Sequence, residues 1–299
     1  MGRRRKGKPI TGWVLLDKPV GAVSTKALNK VRWLFGAAKA GHAGTLDPLA
    51  SGMLPIALGE ATKVIARVTD SSKTYHFTVR WGEQRDTDDA EGEVVASSDA
   101  RPTRAALEAA LENYLGDIEQ VPPRYSAIKV DGERAYALAR DGEHVELASR
   151  IVHVADLRLV AYEDGGDVAE LALDCGKGTY VRALARDLGR DLGCFGHVAS
   201  LRRTRVGPFR VEAAISLDNL EALMHKGALE TALQPVDAGL ADIPAVAITG
   251  TEADRLRSGQ PIRVPSSLQG TVYAKTGGRP IAMAHLQDGE LRPTRVFNL

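Results

Sequence analysis

An α+β fold with a small β-rich domain at the carboxyl end is the architecture that this sequence predicts. Apolar and polar side chains alternate from Lys73 to Trp81, which is the pattern of a strand with one buried face. Elsewhere the apolar side chains recur at helical spacing, as they do in the segment 24–35. From residue 243 onwards short strand patterns predominate. We therefore expect a large domain over residues 1–242 and a small domain over residues 243–299.

The larger domain combines strands and helices whose ends carry clear signals. We predict strands at 12–19, 73–81, 151–162, 168–175 and 198–205, and helices at 24–35, 62–68, 103–115 and 180–192. Ser24 or Thr25 can cap the first helix and Gly36 ends it, while Thr103 can cap the third. The sequence Asp-Gly-Gly at 164–166 predicts a hairpin turn between two strands.

The smaller domain follows a change in composition. The segment LQPVDAGLADIP at 233–244 is typical of a linker. Beyond it we predict a helix at 252–258 and short strands at 271–274, 281–286 and 291–297. A unit of this size with so many strands is expected to be an accessory barrel.

The overall composition is that of a globular protein without a membrane span. The chain of 299 residues is 44% hydrophobic and 26% charged, and no apolar run approaches the roughly 18 residues of a spanning helix. The apolar patch from Trp13 to Leu16 is too short for the core of a signal peptide. Cys175 and Cys194 have no metal or redox spacing, so we expect reduced thiols, a cytoplasmic location and no metal.

The charges are segregated along the chain, although the net charge is only +1. Basic side chains cluster at residues 3–8, and the segment 197–211 carries Arg202, Arg203, Arg205 and Arg210 without an acid. From Val246 onwards seven basic residues face four acidic ones, a net +3. Six acids cluster at 83–93, which we expect to be a solvated surface loop. This segregation is typical of a molecule with one side that faces phosphates.

The stretch GHAGTLDPLASG, residues 41–52, displays a single carboxylate in an unusual setting. Pro48 disfavours the helical region for Asp47, so the acid is expected in an extended or turn conformation. Loops of this kind on a rigid scaffold often carry chemistry, although an ordinary Asp-Pro turn would read the same way. Separately, Arg182 lies in the first turn of a predicted helix, where the dipole disfavours a cation, so we expect an anionic partner outside that helix.

Four blocks of sequence resemble one known family. The first is the Asp47 stretch, which continues as MLPIALGEATK over 53–63. The others are GWVLLDKPVG at 12–21, GKGTYVRALARDLG at 176–189 and HVASLRRTRVGPF at 197–209. In order and spacing these blocks resemble the TruB family of tRNA pseudouridine synthases, and the resemblance covers essentially the full chain. Four blocks in register are far more specific than one short motif.

The resemblance implies a fold and an activity. The expected fold is that of pseudouridine synthases, with a mixed, largely antiparallel sheet flanked by helices, and a PUA-like RNA-binding barrel over residues 243–299. The segment 121–150 resembles an insertion that grips an RNA loop. The expected reaction is isomerisation of uridine 55 in the T-loop of tRNA, on a flipped-out base and with no cofactor. The expected partner is the T-arm of tRNA, with no membrane and no obligate protein partner.

The resemblance also implies roles for individual residues. Asp47 matches the catalytic nucleophile, Tyr75 the tyrosine that stacks on the target and helps proton removal at C5, and Arg182 the arginine that pairs with the nucleophile. The expected substrate-binding residues are Tyr75 itself together with His42, Tyr180, Leu201, Lys18 and Lys63. Attack at the ribose C1′ and a glycal route both stay open.

Two other classes of function remain compatible with the residues. An RNA-binding or RNA-folding protein could keep the fold without catalysis. A glycoside hydrolase would also place a carboxylate beside a sugar bond, but it normally needs two carboxylates, and the stretch 41–52 offers only one.

Overall fold

The computed structural model describes residues 7–126, 129–130, 133–134 and 147–299. The first elements are β1 (Gly12–Lys18), α1 (Ser24–Phe35), β2 (Ala40–His42), β3 (Ser51–Leu58), α2 (Ile65–Asp70), β4 (Lys73–Trp81), β5 (Glu83–Arg85), β6 (Val94–Ser97), α3 (Arg104–Leu111) and β7 (Gly116–Gln120). They are followed by β8 (Lys129–Val130), β9 (Glu133–Arg134), β10 (Arg150–Tyr162), β11 (Val168–Cys175), α4 (Val181–Asp191), β12 (Gly196–Val206), β13 (Phe209–Arg210) and α5 (Leu217–His225). The last are β14 (Ala245–Ala247), α6 (Gly250–Arg257), β15 (Ile262–Arg263), β16 (Gly270–Thr276), β17 (Arg279–Gln287) and β18 (Glu290–Val296).

A mixed sheet forms the centre of the larger domain, in the order β1-β3-β12-β4-β11-β10-β7. All neighbours on this path are antiparallel except β3 and β12, which are parallel. The predicted α+β fold with a mixed, largely antiparallel sheet is therefore confirmed. The register places Gly52, Arg203, Tyr75 and Leu173 in one row across four strands.

Glycine is required at the β3 end of this row. Gly52 has φ of 100°, and a Cβ atom built there would lie 2.2 Å from the carbonyl oxygen of Arg203. A larger residue would push β3 away from β12, because backbone atoms cannot yield as a flexible side chain can. The row therefore brings the end of the Asp47 loop directly against β12.

Helices cover one face of the sheet, and the main core lies beneath them. The alternation predicted for β4 is confirmed, because Tyr75, Phe77, Val79 and Trp81 are all buried. They share a hydrophobic cluster with apolar residues of α3 and α4, including Leu107, Leu184 and Leu188. The intervening residues of β4 are exposed or half-buried, as expected for the other face.

Two local predictions were wrong in detail, and a third segment, the predicted linker, stays a prediction. Val23, not Ser24 or Thr25, occupies the cap position of α1 and makes no side-chain cap bond, whereas Gly36 does end the helix in a left-handed conformation. The predicted helix at 62–68 is a 3₁₀ turn at Gly59–Lys63 followed by α2. The predicted linker at 233–244 contains a 3₁₀ turn whose Val236 carbonyl accepts a hydrogen bond from Trp13 Nε1 at 3.1 Å.

The carboxyl-terminal residues form a second sheet of five strands, in the order β14-β16-β17-β18-β15. This curled half-barrel agrees with the predicted small β-rich unit. It packs tightly on the larger domain, because Tyr273, Met283 and Phe297 share a buried cluster with Trp13 and Met53. The division at residue 242 remains a prediction.

Two further predictions meet the described ranges only in part. The RNA-gripping insertion at 121–150 falls mostly outside the described residues, and so do the basic residues Arg3 to Lys6. Within the described ranges, every helix is too short or too polar to span a bilayer.

Candidate active site

A cavity of about 280 Å³ opens where the Asp47 loop, β4, β12 and the start of α4 meet. Five of the residues predicted for the site line it, namely Asp47, Tyr75, Tyr180, Arg182 and Leu201. These side chains come from positions far apart in the sequence, and the sheet register brings them together. Lys18, His42 and Lys63 do not line the cavity.

Asp47 is held in a tight turn whose backbone is fixed on both sides of the acid. The turn closes where the Ala50 N–H donates to the Asp47 carbonyl at 3.1 Å. Ser24 Oγ donates to the Leu46 carbonyl at 2.7 Å and accepts from the Leu46 N–H at 2.9 Å. The Pro48 carbonyl accepts from the Gly21 N–H at 2.8 Å. The expected turn conformation is thus confirmed, and Ser24 supports the loop instead of capping α1.

Arg182 joins the Asp47 loop to the loop that follows β5. Its Nε lies 2.9 Å from Asp47 Oδ2, and its Nη1 lies 3.4 Å from Asp89 Oδ2. Nη1 also donates to the Thr87 carbonyl at 2.9 Å, and Nη2 donates to the Tyr125 carbonyl at 2.9 Å. The anionic partner predicted outside the helix is therefore confirmed, and there are two of them. The side chain of Asp47 is 37% exposed and lines the cavity.

The acidic loop at 83–93 is only partly solvated surface, so that prediction was wrong for two of its six acids. Asp88 and Asp89 are both buried. Asp88 Oδ2 lies 3.0 Å from Arg186 Nη1, one helical turn beyond Arg182 on α4. Burial raises the pKa of Asp88 to about 6, although the Arg186 charge opposes that rise. The loop folds inward because α4 presents two arginines to it, and ion pairs compensate part of the cost of desolvation.

The basic segment 197–211 is also arranged differently from the prediction of a phosphate-facing side. Arg202 pairs with Asp17 at 2.9 Å, and Arg205 pairs with Asp174 at 2.9 Å. Arg203 is 2% exposed, so it cannot reach an external phosphate. Arg202 and Arg203 point to opposite faces of the sheet because they are adjacent on the strand, and the register shift between Arg203 and Arg205 returns Arg205 to the face of Arg202.

Arg203 forms the floor of the cavity next to the Asp47 loop. Its Nε donates to the Met53 carbonyl at 2.9 Å, its Nη2 to the Gly44 carbonyl at 2.9 Å, and its Nη1 to the Thr45 carbonyl at 3.3 Å. The guanidinium therefore spans the chain before and after Asp47. Sequence reasoning missed this residue and Asp89, since each lies within a charged run that resembles an exposed surface.

Two tyrosines supply aromatic surface around the cavity. Burial raises the pKa of Tyr75, against the opposing effect of the Arg203 charge. Burial is also the main cause of the raised pKa of Tyr180, which precedes the first turn of α4. Both hydroxyls therefore keep their protons at neutral pH.

The remaining predicted site residues lie behind or away from the cavity. Lys18 is fully buried, and its ammonium donates to the carbonyls of Pro19, Ala22 and Pro48 at 2.9, 2.8 and 3.4 Å. Burial lowers the pKa of Lys18 to about 8. Lys18 thus supports the Asp47 loop from beneath, next to the proline that follows the acid.

His42 and Lys63 differ from Lys18 in their surroundings. Burial lowers the pKa of His42, whose Nδ1 has no hydrogen-bond partner among the described residues. Lys63 lies at the contact between the two sheets, where its Nζ is 2.6 Å from Glu60 Oε2 and donates to the Val296 carbonyl at 2.8 Å. The structure therefore does not bring Lys63 to the cavity.

Solved structures share this fold at low sequence identity. One is described as "Structure of H/ACA RNP bound to a substrate RNA containing 2'-deoxyuridine", with a TM-score of 0.74 and 22% identity over 100% of this chain and 92% of that chain. Another is described as "Crystal Structure of a Cbf5-Nop10-Gar1 Complex", with a TM-score of 0.72 and 24% identity over 95% of this chain and 84% of that one. At these identities the similarity establishes the fold.

Family matches cover nearly the whole chain. Residues 32–181 match "TruB family pseudouridylate synthase (N terminal domain)", residues 182–241 match "tRNA pseudouridylate synthase B C-terminal domain", and residues 244–297 match "Pseudouridine synthase II TruB, C-terminal". A tRNA pseudouridine synthase B of Bradyrhizobium diazoefficiens is 56% identical over 99% of this chain and 88% of that protein. The one from Agrobacterium fabrum is 52% identical over 99% and 97%.

The fold, the cavity and these matches define a pseudouridine synthase, an isomerase that converts uridine to pseudouridine in RNA. Within that class, the chain belongs to the TruB family of tRNA pseudouridine synthases.

Proposed function

We propose that this protein isomerises uridine 55 in the T-loop of tRNA, with Asp47 as the nucleophile acting on a flipped-out nucleotide. The observation that carries this proposal is the position of the Asp47 carboxylate. It is partly exposed in a cavity of about 280 Å³ and forms an ion pair with Arg182, whose Nε lies 2.9 Å from Asp47 Oδ2. A carboxylate held in this way is suited to nucleophilic catalysis beside a sugar.

The target uridine has to leave the base stack to reach Asp47. Enzymes that act on a base pay for extrusion with stacking and hydrogen bonds in the pocket. Tyr75 and Tyr180 line the cavity and offer aromatic surface for that purpose. Leu201 adds an apolar wall on the β12 side. These residues support the assignment of the cavity as the site of the extruded uridine.

The reaction itself only exchanges bonds within one nucleotide. The C1′–N1 bond breaks and its electron pair passes to the uracil ring, after attack of Asp47 on C1′ or through a glycal. The base then turns and C5 bonds to C1′, which breaks the Asp47 ester or, in the glycal route, is accompanied by return of the proton to C2′. The proton on C5 leaves and N1 gains one. Since burial raises the pKa of Tyr75, this tyrosine assists the loss of the C5 proton by relaying it, not as a resting phenolate.

The small sheet at the carboxyl end is proposed to contact the tRNA backbone. Arg263 and His285 are exposed around a shallow depression on this sheet, which also holds Asp288 and an ion pair between Arg292 and Glu290. Contacts of this kind position RNA without reading its sequence, and they weaken with salt. Removal of the whole sheet would not test this, because Phe297 and Met283 complete a core cluster shared with the larger domain.

The decisive experiment replaces Asp47 by Asn. We expect Asp47→Asn to abolish isomerisation of unmodified tRNA and to leave tRNA affinity within about tenfold, or ~1.4 kcal/mol, over a salt series. Pseudouridine-specific chemical labelling reads the product, and filter binding reads the affinity. Asp70→Asn is the matched control, because Asp70 lines the same cavity but pairs with Lys177 at 3.3 Å. That control should keep its rate at saturating tRNA.

Two results would contradict the proposed chemistry, and a third would contradict the proposed target. Substantial turnover by Asp47→Asn would remove Asp47 from the nucleophile role. Release of free uracil by the unaltered protein would indicate hydrolysis of the glycosidic bond in place of isomerisation. Labelling of a uridine other than position 55 would keep the chemistry and correct the target.

A further inference from the structure

Two buried arginines line the cavity, and their charges are compensated differently. Arg182 lies within 3.4 Å of two carboxylates, those of Asp47 and Asp89. Arg203 is just as deeply buried, yet within the described part of the chain no carboxylate lies within 4.0 Å of its guanidinium. Its partners are three main-chain carbonyls. Carbonyl groups satisfy its hydrogen bonds but leave its positive charge without a counter-charge.

A buried charge without a counter-charge is costly for stability. Its presence in a cavity is therefore a sign of function, as for other perturbing charges at active sites. The effect of Arg203 extends around the cavity. Next to burial, its charge is among the main causes that lower the pKa values of His42 and Lys73, and it also acts on Lys18 and Tyr75. Arg203 thus contributes a positive potential at His42, Lys73 and Tyr75, whereas at Lys18 the opposing effect of Asp47 is larger.

The proposed reaction moves a negative charge across this cavity. At the start the charge is on the Asp47 carboxylate, beside Arg182. When the C1′–N1 bond breaks, its electron pair stays with the uracil ring, while Asp47 either forms an ester to C1′ or accepts a proton. In both routes Asp47 becomes neutral and uracil becomes anionic. Arg182 retains Asp89 as its counter-ion, whereas none of the described carboxylates is paired with Arg203.

We propose that Arg203 stabilises the departing uracil anion through its buried, uncompensated charge, and that this electrostatic contribution speeds the breaking of the glycosidic bond. This inference rests on the proposed role of Asp47. A fixed, buried charge stabilises a developing anion strongly, because it needs no reorganisation when the anion forms.

A purely structural role for Arg203 makes different predictions. In that case the fork of three hydrogen bonds would matter only because it holds the chain at Gly44, Thr45 and Met53. Lysine would keep the charge but lose the fork, whereas glutamine would lose the charge. The two roles can therefore be separated by comparing Arg203→Lys with Arg203→Gln.

The experiment measures glycosidic-bond cleavage in a single turnover at saturating tRNA, with uridine or 5-fluorouridine at the target position. Fluorine makes the departing anion less basic, so this anion needs less stabilisation. We expect Arg203→Gln to slow cleavage of uridine by about 100-fold, the size of one oxyanion-stabilising contact. The loss should be several-fold smaller with 5-fluorouridine, and Arg203→Lys should recover most of the rate. Arg205→Gln, on the same strand but paired with Asp174, is the control.

Thermal unfolding and tRNA affinity verify that each variant is folded and binds. The inference fails if a folded Arg203→Gln cleaves uridine at the original rate. It also fails if Arg203→Gln and Arg203→Lys lose the same factor on both substrates, because that is the structural outcome. Asp47→Asn separates the two proposals. Turnover in that variant would overturn the role of Asp47, whereas an inactive Asp47→Asn with an unaffected Arg203→Gln would overturn this inference alone.

Discussion

Buried cations on the two sides of the active site have different kinds of partner. On the helix side, which we call the helix wall, Arg182 lines the cavity and meets Asp47 and Asp89, and Arg186, one turn farther along α4 and away from the cavity, meets Asp88. On the strand side, which we call the strand wall, Arg203 of β12 lines the cavity and Lys18 of β1 lies behind it, and the partners of both are main-chain carbonyls. Replacing an arginine of the helix wall therefore leaves a carboxylate without its cation. Replacing a basic residue of the strand wall removes a cation that has no carboxylate partner among the described residues.

The largest loss in the free energy of unfolding is expected when Arg182 on the helix wall is replaced. Arg182→Met should lower the free energy of unfolding by about 3–5 kcal/mol, because it leaves the buried carboxylate of Asp89 unpaired. Adding Asp89→Asn should restore part of that loss, since no buried charge then remains there. Urea unfolding of the single and double variants measures both effects, with Arg190→Met as a control at an exposed position of α4.

The Asp89→Asn substitution should not restore stability to a variant of Arg203 on the strand wall. Arg203→Met leaves no carboxylate behind, so adding Asp89→Asn should give no recovery there. Recovery in both backgrounds would show that Asp89 is destabilising for a reason unrelated to Arg182, and the comparison of the two walls would be wrong.

A smaller effect on stability is expected from Lys18 on the strand wall, and it appears at alkaline pH. Its folded-state pKa of about 8 lies below the ordinary 10.5, so the unfolded chain binds more protons between these values. Stability then rises with pH across that window, by up to about 1.4 kcal/mol per pH unit for one such group. Lys18→Met should flatten this rise. Urea unfolding at several pH values tests it, and Lys26→Met on the exposed side of α1 should keep the original slope.

The smallest effect on stability is expected from Asp88 on the helix wall. Its dependence on pH is opposite in sign to that of Lys18. Its folded-state pKa of about 6 lies above the ordinary 3.8, so the folded protein binds more protons between these values. The contribution of Asp88 to stability therefore falls as pH rises from about 4 to 6. Asp88→Asn should remove that fall, while Asp99→Asn, at an exposed position, should not. An unchanged pH profile for Asp88→Asn would show that Asp88 does not retain its proton in this window.

Local patterns predicted most of the fold. The alternation in β4 and the apolar spacing in α1 and α4 fix which face is buried, and these elements are where they were expected. The predicted capping residue of α1 was wrong because the Ser24 hydroxyl bonds instead to Leu46, which lies 22 residues later. A side chain that can satisfy either a helix end or a distant loop gives no local sign of its choice.

The site was predictable only in part, for a related reason. The resemblance located Asp47, Tyr75 and Arg182, and the helix dipole independently required an anion near Arg182. Asp89 and Arg203 were missed, because a charged residue within a charged run reads as surface. Their burial depends on the register between β12 and β4 and on the return of the chain after β5. These long-range relations are absent from any short window of sequence.

The contact between the two sheets also governs when the enzyme can finish folding. Trp13 on the first strand is enclosed by Val236 and by the cluster that contains Phe297, so this core draws on residues from both extremes of the described chain. Contacts between such distant residues form slowly, because a long loop has to close before they contribute stability. During synthesis, β1 therefore emerges long before its full set of partners exists. The face of β1 that carries Trp13 therefore stays incompletely packed until translation reaches β18, and until then its apolar side chains are exposed in the nascent chain.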